Sequence, residues 1–147
     1  MSLRALITLT LFASALAACG QAAPTVGEAK AFAAVCDKAN DGQRVAAEGY
    51  LRLPDSFTGD QSVVLRLYEA NDFGGAPIGV QIKFGAEANQ VELAPAEYSD
   101  EDLQVHLSDG QLAEFGDRVK VSGKVYFPLV DQDFACALEN PLVEPAG

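Results

Sequence analysis

Tryptophan is absent from the sequence, and histidine occurs only once. Cysteine occurs three times, which is too few for the dense disulfide framework of a small secreted scaffold. Without tryptophan, an aromatic-rich sugar cleft is not the default expectation. Basic residues are also scarce, ten against 21 acidic ones, for a formal net charge of -11. Because proteins that bind nucleic acid electrostatically need a basic surface, we expect no nucleic-acid partner.

The remaining composition is that of an ordinary folded protein. The chain has 147 residues, of which 49% are hydrophobic and 21% charged, a mixture typical of one globular domain. Internal repeats and low-complexity tracts are not found.

The N-terminal residues have the pattern of a signal peptide. One positive charge at Arg4 precedes an uncharged apolar run from Ala5 to Ala18, which is shorter than the roughly 20 residues of a membrane-spanning helix. The run ends in Leu16-Ala17-Ala18-Cys19, which resembles the lipobox of bacterial lipoproteins. The resemblance implies cleavage before Cys19, a diacylglyceryl thioether on its sulfur and further acylation of the new amino group. Two or three acyl chains anchor a protein stably. The alternative is a plain secretory signal with a fortuitous cysteine.

The residue after the cysteine bears on the location of the protein. In Gram-negative lipoproteins Asp at this position is a common inner-membrane retention signal, and this chain has Gly20. The resemblance therefore implies an outer-membrane lipoprotein that faces the periplasm. We expect residues 1–18 to be the signal peptide, 19–24 a lipidated tether and 25–147 a single domain. Loss of Arg4 leaves nine basic and 21 acidic residues, a net charge of -12.

Helical spacing dominates the start of this domain. Thr25 and Glu28 have the spacing of a capping box, and apolar residues follow at Ala29, Phe32, Cys36 and Ala39. The pattern predicts one α-helix over residues 25–39, and Asn40-Asp41-Gly42 predicts the turn that ends it.

From Arg44 onward the apolar period becomes two, which predicts β-strands. The apolar faces of the candidate strands are Val45 to Leu53, Val63 to Leu67, Ile78 to Phe84, Leu103 to Leu107, Val119 to Phe127 and Phe134 to Leu138. Gly74-Gly75 lies between the second and third, which predicts a hairpin. Several short strands separated by turns favour a small antiparallel barrel or sandwich, because closure removes exposed edges.

Two segments carry a resemblance to a known fold. Residues 117–126 are similar to the fourth strand of OB-fold domains, and residues 42–50 resemble their first strand, in which a glycine allows a sharp bend. The resemblance implies a mainly β domain: an OB-like barrel of five to six strands over about 42–144, preceded by the helix.

Two cysteines remain once Cys19 is lipidated. Cys36 and Cys136 both fall on predicted core-facing positions, and the periplasm is oxidising, so we expect a disulfide between them. The alternative is two separately buried thiols. Because no C-x-x-C motif occurs, a redox function is not expected.

Two acidic segments are candidate metal sites. Asp37, Asp41, Gly42 and Glu48 have the spacing of EF-hand positions, but Ala39 removes one oxygen ligand. A second cluster, Ser99 to Asp102, is suited to Ca²⁺ or a basic partner, although such runs are usually solvated. We predict no metal and no cofactor.

Catalytic motifs are weak. His106 is the single histidine, with Gln104 and Ser108 on the same face and Asp102 and Asp109 nearby in sequence. A hydrolytic triad needs a base oriented by a third group, and no G-x-S-x-G motif occurs. We therefore predict a non-enzymatic protein, with a small periplasmic enzyme using His106 as an alternative.

A polar face on the first two strands is the candidate binding site. Tyr50, Arg52, Arg66 and Tyr68 lie opposite the apolar faces, and aromatic rings and guanidinium groups can stack on ligands. Such residues also serve cross-strand pairing alone. The prediction is a membrane-anchored periplasmic binding or adaptor module for a protein or glycan partner. An inhibitor of a cationic cell-wall hydrolase is the alternative suggested by the charge.

Overall fold

A computed structural model of the chain describes Gly20 and residues 22–147. The predicted signal peptide and the lipidation residue Cys19 lie outside the described residues. The fold is mainly β, with nine strands in the described part of the chain. The strands are β1 (Glu28–Ala29), β2 (Arg44–Arg52), β3 (Ser62–Tyr68), β4 (Ile78–Phe84), β5 (Gln90–Val91), β6 (Gln104–His106), β7 (Leu112–Glu114), β8 (Arg118–Tyr126) and β9 (Ala137–Pro145).

Five of these strands form a closed barrel in the order β2-β3-β4-β9-β8, since β8 returns to pair with β2. The predicted hairpin of β3 and β4 is confirmed. All neighbours are antiparallel except β4 and β9, which are parallel. The expectation of a purely antiparallel barrel was therefore wrong. A ring with an odd number of strands cannot alternate direction all the way round, so at least one pair has to be parallel.

Alternate residues of the barrel strands face inward and fill the core. The largest fully buried side chains include Leu65, Leu67, Ile82 and Leu138, as the two-residue period predicted. Gly49 on β2 is required by close packing, because a Cβ there would lie 2.2 Å from the carbonyl oxygen of Tyr68.

The last strand begins later and runs further than its apolar pattern predicted. Phe134 precedes β9, which continues through Pro141 to Pro145. Prolines inside a strand argue against that assignment unless a bulge accommodates them. Here the register between β8 and β9 shifts between Ser122 and Lys124, and Asn140 has a positive φ of 48°.

The α-helix predicted over residues 25–39 is not formed. Its place is taken by β1 and by two short 3-10 helices, Phe32–Ala34 and Lys38–Asn40. β1 pairs in parallel with β2, and the amide of Lys30 donates to the carbonyl of Ala46 at 2.9 Å.

The prediction failed because tertiary contacts outweigh the helical pattern of this segment. An isolated helix of this length is only marginally stable in water, whereas the edge of β2 offers backbone partners. Gly27 allows the close approach, because a Cβ there would lie 2.4 Å from the backbone of Val45. Val35, within the segment predicted to be helical, is fully buried in the barrel core instead.

The segment beyond β4 forms a small meander beside the barrel. β5 pairs with β4, β6 with β5 and β7 with β6. The sequence pattern predicted only β6 of these three strands. No helix among the described residues has the length and apolar character needed to cross a membrane.

Candidate functional site

The four polar residues predicted to form a binding face are brought together on the outside of β2 and β3. Tyr50 lies opposite Tyr68, and Arg52 lies opposite Arg66. Two like charges directly opposite each other on neighbouring strands are destabilising unless each is compensated. The structure supplies a carboxylate to each arginine from a separate loop.

Arg52 forms an ion pair with Asp100, with 2.6 Å between its Nη2 and the carboxylate. This contact raises the pKa of the guanidinium above its ordinary value. Asp100 belongs to a short 3-10 helix (Asp100–Asp102), so the acidic cluster predicted at 99–102 contributes a partner for Arg52.

Aromatic rings cover the same part of the face. The guanidinium carbon of Arg52 lies 5.1 Å from the ring centroid of Phe73. Phe73 meets Tyr68 edge-on at 5.6 Å and stacks on Phe115 at 5.2 Å. Arg52 and Tyr68 are thus engaged in contacts within the chain.

Arg66 makes the corresponding contact on the neighbouring strand. Its Nη2 lies 2.6 Å from Asp133, and its Nε donates to the same carboxylate at 2.7 Å. The hydrogen bonds from Arg66 hold the pKa of Asp133 below its ordinary value. The guanidinium carbon of Arg66 also lies 4.8 Å from the ring centroid of Phe134.

A cleft of about 250 Å³ opens beside Arg66, on the outside of β3. One wall is the loop between β2 and β3 (residues 53–61), and the other is the loop between β8 and β9 (residues 127–136). We call this space the loop cleft. Its lining residues are Pro54, Ser56, Phe57, Thr58, Gly59, Ser62, Val63, Val64, Arg66, Gln132 and Phe134.

The β2–β3 loop is held in place by aromatic packing at one wall of the loop cleft. The ring of Phe57 lies 5.5 Å from that of Phe84 and 5.2 Å from that of Tyr98. The Tyr98 hydroxyl donates to the carbonyl of Pro54 at 2.6 Å, and burial raises the pKa of this phenol. These contacts fix the wall of the cleft without using its exposed hydroxyl groups.

The β8–β9 loop is attached at both of its ends to one N-terminal segment. At its start, the ammonium of Lys38 lies 3.4 Å above the centroid of the Phe127 ring. At its end, Cys136 is joined to Cys36 by a disulfide, the pairing that the sequence analysis expected.

A third attachment holds this loop against the barrel. Phe134 is buried and packs on Gly79, where a Cβ would lie 3.0 Å from the ring. Asp133 beside it binds Arg66. The chain between Phe127 and Asp133 carries no comparable contact to the barrel among the interactions of the described residues, and Leu129 there is fully exposed, at 102%.

The charged residues of the two loops that form the loop cleft are all acidic. The β2–β3 loop contains Asp55 and Asp60, the β8–β9 loop contains Asp131 and Asp133, and neither loop contains Lys or Arg. From residue 125 to the end of the sequence there are four carboxylates and no Lys or Arg. The cleft therefore lies between two acidic loops, and its lining is apolar and neutral polar except for Arg66, which is paired with Asp133.

His106 pairs with Glu92 and not with Asp102 or Asp109, the two carboxylates near it in sequence. Its Nε2 lies 2.9 Å from Glu92. Asp102 instead accepts from the backbone amide of Ser99 at 2.8 Å, and Asp109 accepts from that of Gln111 at 2.9 Å. The two aspartates stabilise their own turns. That the protein is not an enzyme stays a prediction.

The residues with EF-hand spacing are used for structure. Asp37 accepts from the amide of Ala39 at the start of a 3-10 helix, and Glu48 on β2 binds Arg118 at 3.1 Å. Across Gly20 and residues 22–147, no group of three or more His, Cys, Asp or Glu side chains could hold a metal ion.

A second cavity, of about 350 Å³, lies between the N-terminal segment 22–24 and the barrel. Its other walls come from β4, residues 88–90 and residues 139–141. Asn140 donates to the carbonyl of Ala22 at 3.3 Å, and Arg44 donates to that of Thr25 at 2.5 Å. These contacts attach the N-terminal segment to the outside of the barrel.

No protein-family model matches the chain, and comparison with curated proteins and with solved structures gives no match either.

Sequence reasoning identified Arg66 but missed the loop cleft beside it. Phe57 and Leu129 lie in segments without strand periodicity, and their importance depends on which loops the barrel brings together. One signal was available in the sequence: the apolar residues at 128–130 directly follow a predicted strand and are not needed to complete its alternation.

Proposed function

We propose that the protein is a membrane-anchored binding module of the bacterial envelope, and that its binding surface is the loop cleft. The observation that carries the proposal is the position of this cleft between two fixed loops on the outside of a small closed barrel. Concave surfaces with apolar walls and a few polar groups are the usual sites of ligand binding. The role is non-enzymatic, with the barrel serving to hold the loops.

The strand order supports an OB-like barrel as the finer description of the fold. OB-folds are five-stranded Greek-key barrels that bind ligands on their second and third strands and on the loops after the first and fourth. In this chain the corresponding strands are β3 and β4, and the corresponding loops are residues 53–61 and 127–136. Those two loops form the walls of the cleft.

A protein is the partner class that the surface favours. Asp55, Asp60 and Asp131 lie in the two loops that form the cleft, and neither loop contains a basic residue. Such loops attract cationic surfaces and repel nucleic acid. An inhibitor of a cationic cell-wall hydrolase is one function compatible with this charge.

A glycan is the second candidate, favoured by the polar groups of the cleft. Ser56, Thr58, Ser62 and Gln132 supply hydroxyl and amide groups, and Phe57 supplies aromatic surface. Neutral hydroxyl and amide groups next to aromatic rings can bind sugar hydroxyls and stack on sugar faces.

Membrane attachment is part of the same proposal, supported by the lipobox-like Leu16-Ala17-Ala18-Cys19. Ala22 is already held by Asn140. Three residues span at most about 11 Å, so an anchor on Cys19 places this side of the barrel close to the membrane. Intact mass of the protein extracted from membranes is expected to show a chain that begins at Cys19 and carries acyl groups. An unacylated chain with another N-terminus contradicts the anchor.

The binding surface is tested by photo-crosslinking in cells, with a photoreactive amino acid at Thr58 in the cleft or at Ser108 outside it. Both are exposed hydroxyl residues, and only Thr58 lines the cleft. We expect a discrete adduct from position 58 that is lost in a Cys19→Ala variant with an unlipidated export signal. Mass spectrometry of the adduct distinguishes a protein from a glycan. Equal adducts from both positions, or none from position 58, contradict the proposed surface.

A further inference from the structure

Two of the exposed aliphatic residues of the described chain lie next to each other on a loop that is anchored at both ends. Five large hydrophobic side chains are exposed in the part of the chain that the structure describes: Val26, Leu93, Leu112, Leu129 and Val130. Single exposed apolar residues are common on protein surfaces. Leu129 and Val130 differ in being adjacent, at 102% and 67% exposure, on a loop whose two ends are attached to the same segment.

This loop presents its tip, residues 128–132, in a defined position. Lys38 holds Phe127, Cys36 holds Cys136, and Arg66 holds Asp133. The apolar side chains of the tip have no role in the core, and their exposure to water is unfavourable in the free protein. Fixing a loop before binding reduces the entropy lost when a partner orders it. The arrangement is therefore suited to insertion into another surface.

The acidic residues near the loop tip indicate what kind of partner surface would bind it. Asp131 lies next to Val130, and Asp55 and Asp60 lie on the facing loop. A pocket that accepts Leu129 has to be apolar at its base. A rim of Lys or Arg around the pocket complements the aspartates and speeds association.

We propose that the loop tip inserts Leu129 into an apolar pocket of a partner protein whose rim is basic. The inference rests on the proposed function and deepens it by naming the chemistry of the partner. The loop cleft then receives the part of the partner next to the pocket, and Leu129 is the central anchor of the interface.

The test has two stages and uses the full lipidated chain. First, a photoreactive amino acid replaces Leu129 or, as a control, Leu93, which is also exposed (61%, against 102% for Leu129) and lies in another part of the chain. The adduct from position 129 is sequenced. The proposal requires a protein whose crosslinked peptide lies in an apolar pocket bordered by Lys or Arg. No adduct at position 129, a glycan adduct, or one from an acidic surface overturns it.

Second, affinity for the purified partner is measured by calorimetry. Leu129→Asp is expected to weaken binding by at least about 30-fold, as expected for a buried interface anchor, and Leu93→Asp by less than about twofold. Raising the salt concentration is expected to weaken binding of the unmodified chain, because the charges at the rim are screened. Thermal unfolding verifies that both variants are folded.

Binding that survives Leu129→Asp, or that does not change with salt, overturns the inference. A third variant, Thr58→Arg, separates this result from failure of the proposed function. If Thr58→Arg abolishes binding and Leu129→Asp does not, the cleft binds the partner and the tip does not. If neither variant changes binding, both the inference and the proposed surface are wrong.

Discussion

Two arginines on neighbouring strands each bind an aspartate from a different distant loop. The two loops differ in what they present to solvent. Arg52 binds Asp100 and Arg66 binds Asp133, each at 2.6 Å. The loop of Asp100 is a short capped helix beside a cluster of aromatic rings. The loop of Asp133 carries the fully exposed Leu129 and forms one wall of a cleft. Ion pairs of the same type therefore support a structural contact at Arg52 and the candidate binding surface at Arg66.

The comparison shows that the residue types suited to ligand binding are also used for contacts within the chain. Tyr50, Arg52, Arg66 and Tyr68 have side chains suited to ligand binding, but both arginines are paired within the chain and Tyr68 packs on Phe73. Their role in the structure is to position loops. The free polar and apolar surface lies on the loops themselves.

The largest predicted effect is loss of the disulfide that anchors the β8–β9 loop. The bond closes a separation of 100 residues, and a loop of this length corresponds to about 4.7 kcal/mol of stability in the chain-entropy model. Cys36→Ala with Cys136→Ala is expected to lower the free energy of unfolding by about that amount in urea titration. Reduction of the unmodified protein should give the same loss. A change of less than about 1 kcal/mol contradicts this anchoring role.

Phe134→Ala removes the next attachment of the same loop. Phe134 is buried against Gly79, so we expect a loss of about 3 kcal/mol from the missing aromatic packing. Amide hydrogen exchange should increase over residues 128–133. Phe73→Ala serves as the matched variant, and its effect is expected at the β3–β4 turn. Equal exchange of the β8–β9 loop in both variants shows that the two regions are not independent.

The arginines themselves provide a smaller and more selective comparison. Arg66→Met is expected to cost about 1 kcal/mol or less, because half-exposed ion pairs contribute little, and to increase exchange at Asp133 and Phe134. Arg52→Met should act on the loop of Asp100 only. Unfolding titrations and exchange on both variants measure the difference. If Arg52→Met loosens the β8–β9 loop as much as Arg66→Met does, the separate roles assigned to the two pairs are wrong.

Acid should release the Arg66 contact. The pKa of Asp133 is held below its ordinary value of 3.8 by Arg66, so the folded state favours the ionised carboxylate. Its stabilising contribution is present above 3.8 and is lost as the pH falls through the lower folded value. NMR titration is expected to show Phe134 shifts that change only in this acidic range. In Asp133→Asn this titration should disappear, and an unchanged curve assigns it to another group.

The smallest predicted effect on stability is that of the loop tip. Leu129→Asp is expected to change the free energy of unfolding by less than about 0.5 kcal/mol. The reason is that the Leu129 side chain is fully exposed and makes no core contact that the substitution could remove. Urea titration of this variant next to Leu93→Asp measures it. A loss above about 1 kcal/mol indicates that Leu129 packs within the fold, which removes it from the proposed binding surface.

Much of the barrel could be predicted from local patterns in the sequence. The two-residue period of Val63, Leu65 and Leu67 identifies β3, and Gly74-Gly75 identifies the turn into β4. The pairing of Cys36 with Cys136 was predicted from their number, their core-facing positions and the expected oxidising compartment. These inferences succeed because inward and outward positions are encoded within each strand.

What could not be predicted depends on contacts between distant segments. The spacing of Phe32 and Cys36 indicates a helix, yet the free edge of β2 captures that segment as β1. Pro141 argues against a strand, yet the bulge accommodates it in β9. Likewise, only the closed barrel brings Phe57 to the same cleft as Phe134, so the candidate site is not visible in any single stretch of sequence.

The central claim is that partner binding is confined to the loop cleft and the tip beside it. Amide hydrogen exchange of the full chain, alone and with its crosslinked partner, tests it most directly. The account predicts new protection over residues 54–59 and 128–134, with the Asp100 loop and residues 88–92 unchanged. Protection centred on either of those two segments, with none at residues 128–134, contradicts the claim.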